Sequence, residues 1–399
     1  MSPSVLKPEP GFTLVPMKTP ADKKTNFGAV ITDIDLDDIS DEDVQALSDA
    51  IWTHKLVIVR GQKNLQPQKQ WDLVKRFDPD AEEVHSHGDM KTFNAKGGLL
   101  SRGRVVHAIP DVQNIRIVGK GYQGADHYGL KELTLKSAPL HSWHEDKLPD
   151  EEFQKGHTRF QRWHIDAPLY GRDPAWFTTL RCVKRPTEPK QTVHWDDGSG
   201  LTMSVGPGLT AFLSSVQMYD LLTPEEKSFA DNSWVEYAPH PYMWLGGSES
   251  VSSGFGIASS GKELSLDELP EYDDSKVKRY PMVWVNPVTN ERAFMVHTIC
   301  TRRLFLRTSP DAEPTVVDDL DQVRAWLKPI QERVLKPEYI IAPEVEEGDI
   351  LMWANYQMFH TAIDYPSSLG PRTMHQANIG ASVGPTGLFT VPKTVSAAA

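Results

Sequence analysis

The chain has 399 residues and a formal net charge of −12, with 42 Lys and Arg against 54 Asp and Glu. Binding to nucleic acid or to an anionic membrane relies on clustered cations, so this balance predicts neither kind of partner. Hydrophobic residues make up 39% of the chain, and 11 Trp and 14 Phe supply large side chains for a globular core.

The two cysteines, Cys182 and Cys300, are too few for a disulfide framework or a cysteine zinc cluster. A reducing compartment is the simpler expectation. Residues 1–17 lack the basic start and long apolar run of a secretory signal. No stretch approaches the roughly 20 apolar residues of a membrane-spanning helix. We therefore expect a cytoplasmic protein, and the sequence leaves a homo-oligomer open.

The predicted elements begin with a strand–helix–strand–helix unit. Residues 1–26 are rich in Pro and Lys and predict an extended arm. The segments 27–36 and 54–59 predict strands, because their apolar and β-branched residues alternate or run together. Ser40 followed by three acidic residues predicts a helix start, and 67–77 predicts a second amphipathic helix.

Loops and many short strands fill the rest of the chain. We expect long loops at 80–105 and 244–275, whose length and glycine content make them candidate lids. Short apolar runs between Gly- and Pro-bearing turns predict strands at 112–118, 159–164, 177–183, 208–213, 281–284, 293–298, 339–341, 349–354, 358–363 and 374–379. A further helix is predicted over 320–334.

This pattern predicts a mainly β fold with flanking helices and a double-stranded β-helix core, the jelly roll of cupin-like proteins. We expect a single domain over 27–385, preceded by the arm at 1–26 and followed by a C-terminal tail at 386–399.

A candidate metal site is divided between two distant segments. His164 and Asp166 are two residues apart, so on a strand their side chains point to the same side. His360 lies among apolar residues, where an imidazole is costly to bury without a metal or hydrogen-bond partner. Two histidines and one carboxylate form the facial site of non-haem Fe(II) oxygenases, which leaves positions open for a co-substrate and O₂. Arg372 then offers a bidentate partner for the distal carboxylate of 2-oxoglutarate.

Each of these residues also has an ordinary explanation. A lone buried histidine is more often a satisfied core residue than a ligand, and a surface arginine is often merely solvated. His194 and Asp196 have the same spacing, and 85–89 is another histidine-containing stretch. The pair at 164 is favoured because it ends an apolar segment and precedes a strand, whereas the pair at 194 runs into a Gly- and Ser-rich turn. We therefore predict Fe(II), 2-oxoglutarate and O₂ at the site formed with His360.

Over roughly residues 27–385 the chain resembles the taurine dioxygenase-like family of Fe(II)/2-oxoglutarate enzymes. The opening strand–helix–strand, with its Arg60-Gly61-Gln62 ending, and the histidine and arginine motifs carry this resemblance. It implies that the catalytic, iron-binding residues are His164, Asp166 and His360. The implied chemistry is decarboxylation of 2-oxoglutarate to give an Fe(IV)-oxo oxidant.

The same resemblance implies two residues that bind 2-oxoglutarate. Arg372 matches the family's arginine, and Thr192 falls where a threonine contacting 2-oxoglutarate is expected. Thr178 and Thr179 remain alternatives for this threonine.

Within the family, the chain is most similar to fungal xanthine dioxygenases. The segment from Arg372 to Asn378 has that group's Gln and Asn two residues apart after the arginine, and Arg159–Ala167 is also similar. The implied reaction is xanthine to urate. Amides and a lysine suit a purine with several N–H and C=O groups. The implied substrate-binding residues are Gln113, Lys136, Glu152, Gln376 and Asn378, with Asp150 or Glu151 as alternatives to Glu152.

Two other functions are compatible with the sequence. The same frame could hydroxylate, desaturate or cyclise another small molecule, such as an amino acid or a secondary-metabolite intermediate. A non-catalytic cupin-like protein could instead hold zinc through the same histidines. Both enzymatic functions predict a small-molecule substrate.

Overall fold

The computed structural model of the protein describes residues 10–96, 99–101, 105–136, 143–258 and 261–392. The helices of these residues are α1 Asp41–His54, α2 Pro67–Phe77, α3 Met90–Lys96, α4 Asp150–Gln154, α5 Ser215–Asp220, α6 Pro224–Asn232, α7 Pro241–Trp244 and α8 Leu320–Glu332. In these ranges no helix is long and apolar enough to cross a bilayer.

The strands, in chain order, are β1 Thr13–Pro16, β2 Ala29–Thr32, β3 Leu56–Val59, β4 His107–Ile109, β5 Val112–Tyr122, β6 Asp126–His127, β7 Leu130–Lys131, β8 Thr134–Leu135, β9 His157–Thr158, β10 Phe177–Lys184, β11 Gln191–His194, β12 Thr202–Val205, β13 Thr210–Ser214, β14 Trp234–Tyr237, β15 Arg279–Pro281, β16 Val283–Val285, β17 Arg292–Phe294, β18 Thr301–Leu306, β19 Thr315–Val317, β20 Ile350–Ala354, β21 Met358–Ala362 and β22 Arg372–Asn378.

The largest sheet of the described residues, called here the main sheet, has the order β1-β2-β3-β20-β10-β22-β5-β4, with β8 beside β5. Its pairings are antiparallel except that of β2 with β3. Smaller sheets join β9, β11 and β12, and β14 with β15, β18 and β19. The predicted pairing of 281–284 with 293–298 is confirmed by β16 and β17.

Alternating side chains give the main sheet two apolar faces. In β20, Ile350 and Met352 belong to the apolar cluster that includes helix α1, called here the outer cluster. Leu351 and Trp353 belong to the cluster that includes Phe212, called here the inner cluster. The antiparallel pair β13 and β21 covers the inner face, where the ring centroids of Phe212 and Trp353 are 5.2 Å apart. The predicted mainly β fold with a jelly-roll core is confirmed.

Helices α1 and α2 cover the outer face of the main sheet. The Ser40 hydroxyl accepts a hydrogen bond from the Asp43 N–H at 3.0 Å and caps α1, as the sequence predicts. Leu47 and Ile51 of α1 are fully buried in the outer cluster with Val57 of β3. Burial of this apolar stripe fixes the helix on the sheet.

Four predicted elements differ from the structure. Residues 159–164 form isolated bridges rather than a strand, because the Arg162 N–H bonds to the Thr361 hydroxyl at 2.9 Å instead of to a backbone carbonyl. The predicted loop at 80–105 contains α3. The predicted strand at 339–341 is a 3₁₀ turn over Pro337–Tyr339 followed by a single bridge. Within the predicted arm, β1 pairs with β2.

Candidate active site

The two predicted metal-binding histidines lie directly opposite each other. His164 and His360 exchange both backbone N–H···O hydrogen bonds at 3.0 Å, so their side chains leave the same face. Their ring centroids are 4.2 Å apart. Asp166 completes the group, with carboxylate oxygens 4.0 Å from His164 Nε2 and 3.7 Å from His360 Nε2. Three potential ligand atoms therefore converge, each within 4.8 Å of the others.

Both imidazoles are in the form that binds a metal. Burial lowers the pKa of His164 and of His360 to about 3, so both rings are neutral near pH 7. The Nδ1 of His164 lies 2.9 Å from the Arg162 carbonyl oxygen, which can only accept a hydrogen bond. This contact places the ring proton on Nδ1 and leaves the Nε2 lone pair for a metal.

A buried polar network orients the Asp166 carboxylate. Its Oδ2 accepts hydrogen bonds from the Thr178 hydroxyl at 2.8 Å and from the Gln376 amide at 3.0 Å. The Thr178 oxygen in turn accepts from the amides of Asn355 at 2.8 Å and Asn378 at 3.2 Å. Two neutral imidazoles and one oriented carboxylate are donors that suit divalent iron. The residues present fit the metal.

Arg372 lies at the first residue of β22, where its guanidinium is buried. Its Nε donates to the Gly208 carbonyl oxygen at 2.7 Å, and its Nη2 lies 3.4 Å from the Thr210 hydroxyl. Gly208 has φ +68°, and a Cβ there would lie 3.0 Å from the Tyr365 ring and 3.1 Å from Arg372 Cδ. Glycine therefore gives the arginine the room to lie against this turn.

A cavity of about 200 Å³ joins the histidine–aspartate group to Arg372 and Thr210. Its other polar lining residues include His87, Arg116, Lys136, Arg162, Tyr242 and Gln376. The arrangement can hold a metal, a dicarboxylate and a small organic molecule in one cavity.

The model of the family described as "Taurine catabolism dioxygenase TauD, TfdA family" matches residues 18–378. The chain belongs to this family. Among curated relatives, the α-ketoglutarate-dependent dioxygenase bsc9 of Alternaria brassicicola is 41% identical and covers 93% of this chain and 94% of its own length. The α-ketoglutarate-dependent xanthine dioxygenase xanA of Emericella nidulans is 39% identical, and the match covers 94% of this chain and 98% of that protein.

Solved structures share the TauD-type fold at low sequence identity. A putative α-ketoglutarate-dependent taurine dioxygenase from Burkholderia xenovorans is 16% identical, with a TM-score of 0.52 over 94% of this chain and 91% of that one. The structure of AAD-2 in complex with Mn(II) and N-oxalylglycine is 15% identical, with a TM-score of 0.51 over 94% of this chain and 99% of that one. The predicted family and enzyme class are confirmed: the protein is an Fe(II)/2-oxoglutarate-dependent dioxygenase.

Two of the five predicted substrate-binding residues of this TauD-family chain, Lys136 and Gln376, line the cavity. Asn378 is buried behind it, where its amide oxygen accepts from the Ser86 hydroxyl at 2.6 Å. Asn378 therefore supports the Asp166 network and is not among the lining residues of the cavity.

The structure does not bring the other two to the cavity. Gln113 is exposed at the start of β5, where its amide donates to the Pro110 carbonyl oxygen of the preceding turn at 2.7 Å. The side chain of Glu152 on α4 is 45% exposed and pairs with Lys155 at 2.9 Å. The turn before β5 and the helix α4 direct these two side chains away from the cavity.

The predicted threonine also lies elsewhere. Thr192 is exposed on β11, outside the cavity, and Thr210 of β13 is the threonine beside Arg372. Thr178 and Thr179, the alternatives, point to Asp166 and to the Ala377 carbonyl oxygen respectively.

Sequence reasoning missed the cavity residues Arg116, Arg162, Tyr242 and Thr210. Arg162 carried a signal, since it lies two residues before His164 and shares its side of an extended segment. Thr210 carried none, because its strand resembles any buried strand.

Proposed function

We propose that the protein oxidises xanthine to urate while it converts 2-oxoglutarate and O₂ to succinate and CO₂. One O atom goes to succinate and the other to the purine carbon, so the reaction balances. The observation that carries the proposal is the position of Gln376, whose amide bonds to Asp166 and lines the cavity together with Lys136. An amide and an ammonium suit the N–H and C=O edges of a purine. Xanthine dioxygenases of Emericella nidulans, Neurospora crassa and Schizosaccharomyces pombe are 39%, 35% and 36% identical.

We assign the iron to His164, Asp166 and His360, with Asp166 held in place by Thr178. Bound iron supplies the activation of O₂ that a purely organic site lacks. Arg372 would bind the distal carboxylate of 2-oxoglutarate, with Thr210 in the role that the sequence assigned to Thr192. The protein's part is to orient the two substrates and exclude water around them.

The remaining polar lining would orient the substrate. The guanidinium carbon of Arg116 lies 4.5 Å from the centroid of the Phe93 ring. The guanidinium carbon of Arg162 lies 4.9 Å from the centroid of the Trp143 ring. Stacking on rings limits the positions of both cations beside the cavity. Local positive charge of this kind favours a substrate with carbonyl oxygens or anionic character, despite the net negative charge of the chain.

Substrate-stimulated succinate release tests the proposal. With Fe(II), 2-oxoglutarate and O₂, xanthine should stimulate succinate release and yield urate in equal amount. Lys136→Met should raise KM for xanthine about tenfold, since one hydrogen bond to a charged group contributes about 1.5 kcal/mol. Lys131, an exposed residue of β7, offers the matched control: Lys131→Met should change KM neither for xanthine nor for 2-oxoglutarate. Absence of any response to xanthine would refute the substrate assignment.

A second substrate class is favoured by the apolar part of the cavity. Phe93, Leu100, Val105 and Leu135 also line it, and the relative at 41% identity is not named for xanthine. Hydroxylation, desaturation or cyclisation of a metabolite with an apolar body would use the same iron and Arg372. Stimulation of succinate release by such a compound, with none by xanthine, would select this function.

We also propose a cytoplasmic location and a single catalytic domain over 27–385. The location is supported by Cys182 and Cys300, which are buried free thiols.

A further inference from the structure

A second histidine–aspartate cluster lies where β9 meets β11. The parallel pairing sets His157 opposite Thr192, and His194 is two residues further along the same face. The rings of His157 and His194 have centroids 3.9 Å apart at an interplanar angle of 33°. Asp196 follows, and its Oδ2 is 2.9 Å from His157 Nε2. One ligand atom of each residue lies within 4.8 Å of the others.

This cluster has the same composition as the active-site group and nearly the same spacing. The corresponding ring separation for His164 and His360 is 4.2 Å. Within the described part of the chain, the lining of the active-site cavity includes none of His157, His194 and Asp196. The cluster is therefore separate from the site used for catalysis.

Arg159 determines how the carboxylate is held. Its Nε donates to Asp196 Oδ2 at 2.6 Å, and its Nη1 donates to the Asp146 carbonyl oxygen. Both hydrogen bonds to Asp196, from Arg159 and His157, use Oδ2, so Oδ1 is the oxygen that can turn towards the imidazoles. The side chains of His157 and Asp196 are 19% and 24% exposed, which lets an ion enter from solvent.

We propose that His157, His194 and Asp196 bind one divalent transition-metal ion of the zinc class. Two imidazole nitrogens and a carboxylate oxygen are ligands that zinc accepts, with water in the fourth position. Ligand atoms around tetrahedral zinc are roughly 3.3 Å apart, so the three side chains, whose ligand atoms lie within 4.8 Å of one another, would move closer together on binding the ion. The metal–ligand bonds replace the hydrogen bond between His157 and Asp196.

The bound ion would fix β9 to β11 next to the segment that carries the active-site ligands. Thr158 already joins β9 to that region, because its hydroxyl donates to the Asp364 carbonyl oxygen at 2.9 Å. Zinc should therefore stabilise the folded chain as well as bind to it.

Zinc binding is best measured in the full-length His164→Ala/His360→Ala variant, which lacks the active-site ligands. Equilibrium dialysis should find one Zn²⁺ per chain and a rise in Tm on adding Zn²⁺. Adding His157→Ala and His194→Ala should weaken binding about 100-fold or more, since even residues outside the ligand shell change metal affinity 10–100-fold. Asp196→Asn, which keeps the size of the side chain, should also weaken Zn²⁺ binding.

The matched control adds His54→Ala and His107→Ala, two histidines outside both clusters, and should retain the zinc. The proposal is overturned if the variant without His157 and His194 binds Zn²⁺ as tightly as this control. It is also overturned if the His164→Ala/His360→Ala variant binds none. Neither result bears on xanthine oxidation.

Discussion

Thr178→Val tests whether the network around Asp166 controls metal affinity. The Thr178 hydroxyl is fully buried and donates to the Asp166 carboxylate at 2.8 Å. Valine has a similar shape and cannot donate. In the native protein, Thr178 and Gln376 both donate to Oδ2 of Asp166. The substitution therefore leaves this oxygen with Gln376 as its one side-chain donor.

The expected magnitude follows from the kinds of bonds removed. A hydrogen bond to a charged group contributes about 1.5–3 kcal/mol, and loss of such an outer ligand contact weakens metal binding about 10–100-fold. The amides of Asn355 and Asn378 also lose their acceptor, which costs about 1–3 kcal/mol of folding stability for each unsatisfied buried group. We expect weaker metal binding and a lower free energy of unfolding together.

Thr179→Val is the matched control. Thr179 is the next residue on β10 and equally buried, but its hydroxyl bonds to the Ala377 carbonyl oxygen and to Gln70. Anaerobic titration with Mn²⁺ should show weakened binding for Thr178→Val and nearly unchanged binding for Thr179→Val. Equal metal affinities in two folded variants would refute the role assigned to Thr178.

Three further predictions concern 2-oxoglutarate binding and pH. Arg372→Lys should raise KM for 2-oxoglutarate about 10–100-fold in a succinate assay, because lysine cannot bind a carboxylate in the bidentate manner; an unchanged KM would contradict the assignment. Gly208→Ala should raise the same KM about tenfold, since the added Cβ meets Arg372 Cδ at 3.1 Å and φ is +68°; unaltered 2-oxoglutarate kinetics would count against it. Burial lowers the pKa of His375 to about 3, below its value near 6.5 in the unfolded chain. Between these two values the unfolded chain binds a proton that the folded chain does not, so the free energy of unfolding is highest above about pH 6.5 and decreases as the pH falls towards 3. Urea midpoints should fall over this window, and less steeply for His375→Asn; identical slopes would refute this prediction.

Local features of the chain were predictable because neighbours in sequence cause them. The cap at Ser40, helix α2 over 67–77 and the strand ending at Lys184 follow from capping, period and β-branched content. That 159–164 forms isolated bridges instead of the predicted strand was not predictable, because the Thr361 hydroxyl takes the place of a backbone acceptor there.

The substrate side of the cavity shows the limit of reasoning from spacing. The resemblance to xanthine dioxygenases implied both Gln113 and Lys136, which precede His164 along the chain, as substrate-binding residues. In the structure only Lys136 of the two lines the cavity, because Gln113 closes its own turn. A distance along the chain does not determine the direction of a side chain after an intervening turn.

By itself, the sequence determined the donor types of the candidate metal site and the same-side placement of His164 and Asp166, since side-chain direction alternates along any extended chain. Tertiary structure decided which histidine-x-aspartate pair meets His360, and that Thr210 rather than Thr192 lies beside Arg372. Both outcomes depend on which strands become neighbours, and burial of apolar faces between the sheets sets that arrangement across hundreds of residues.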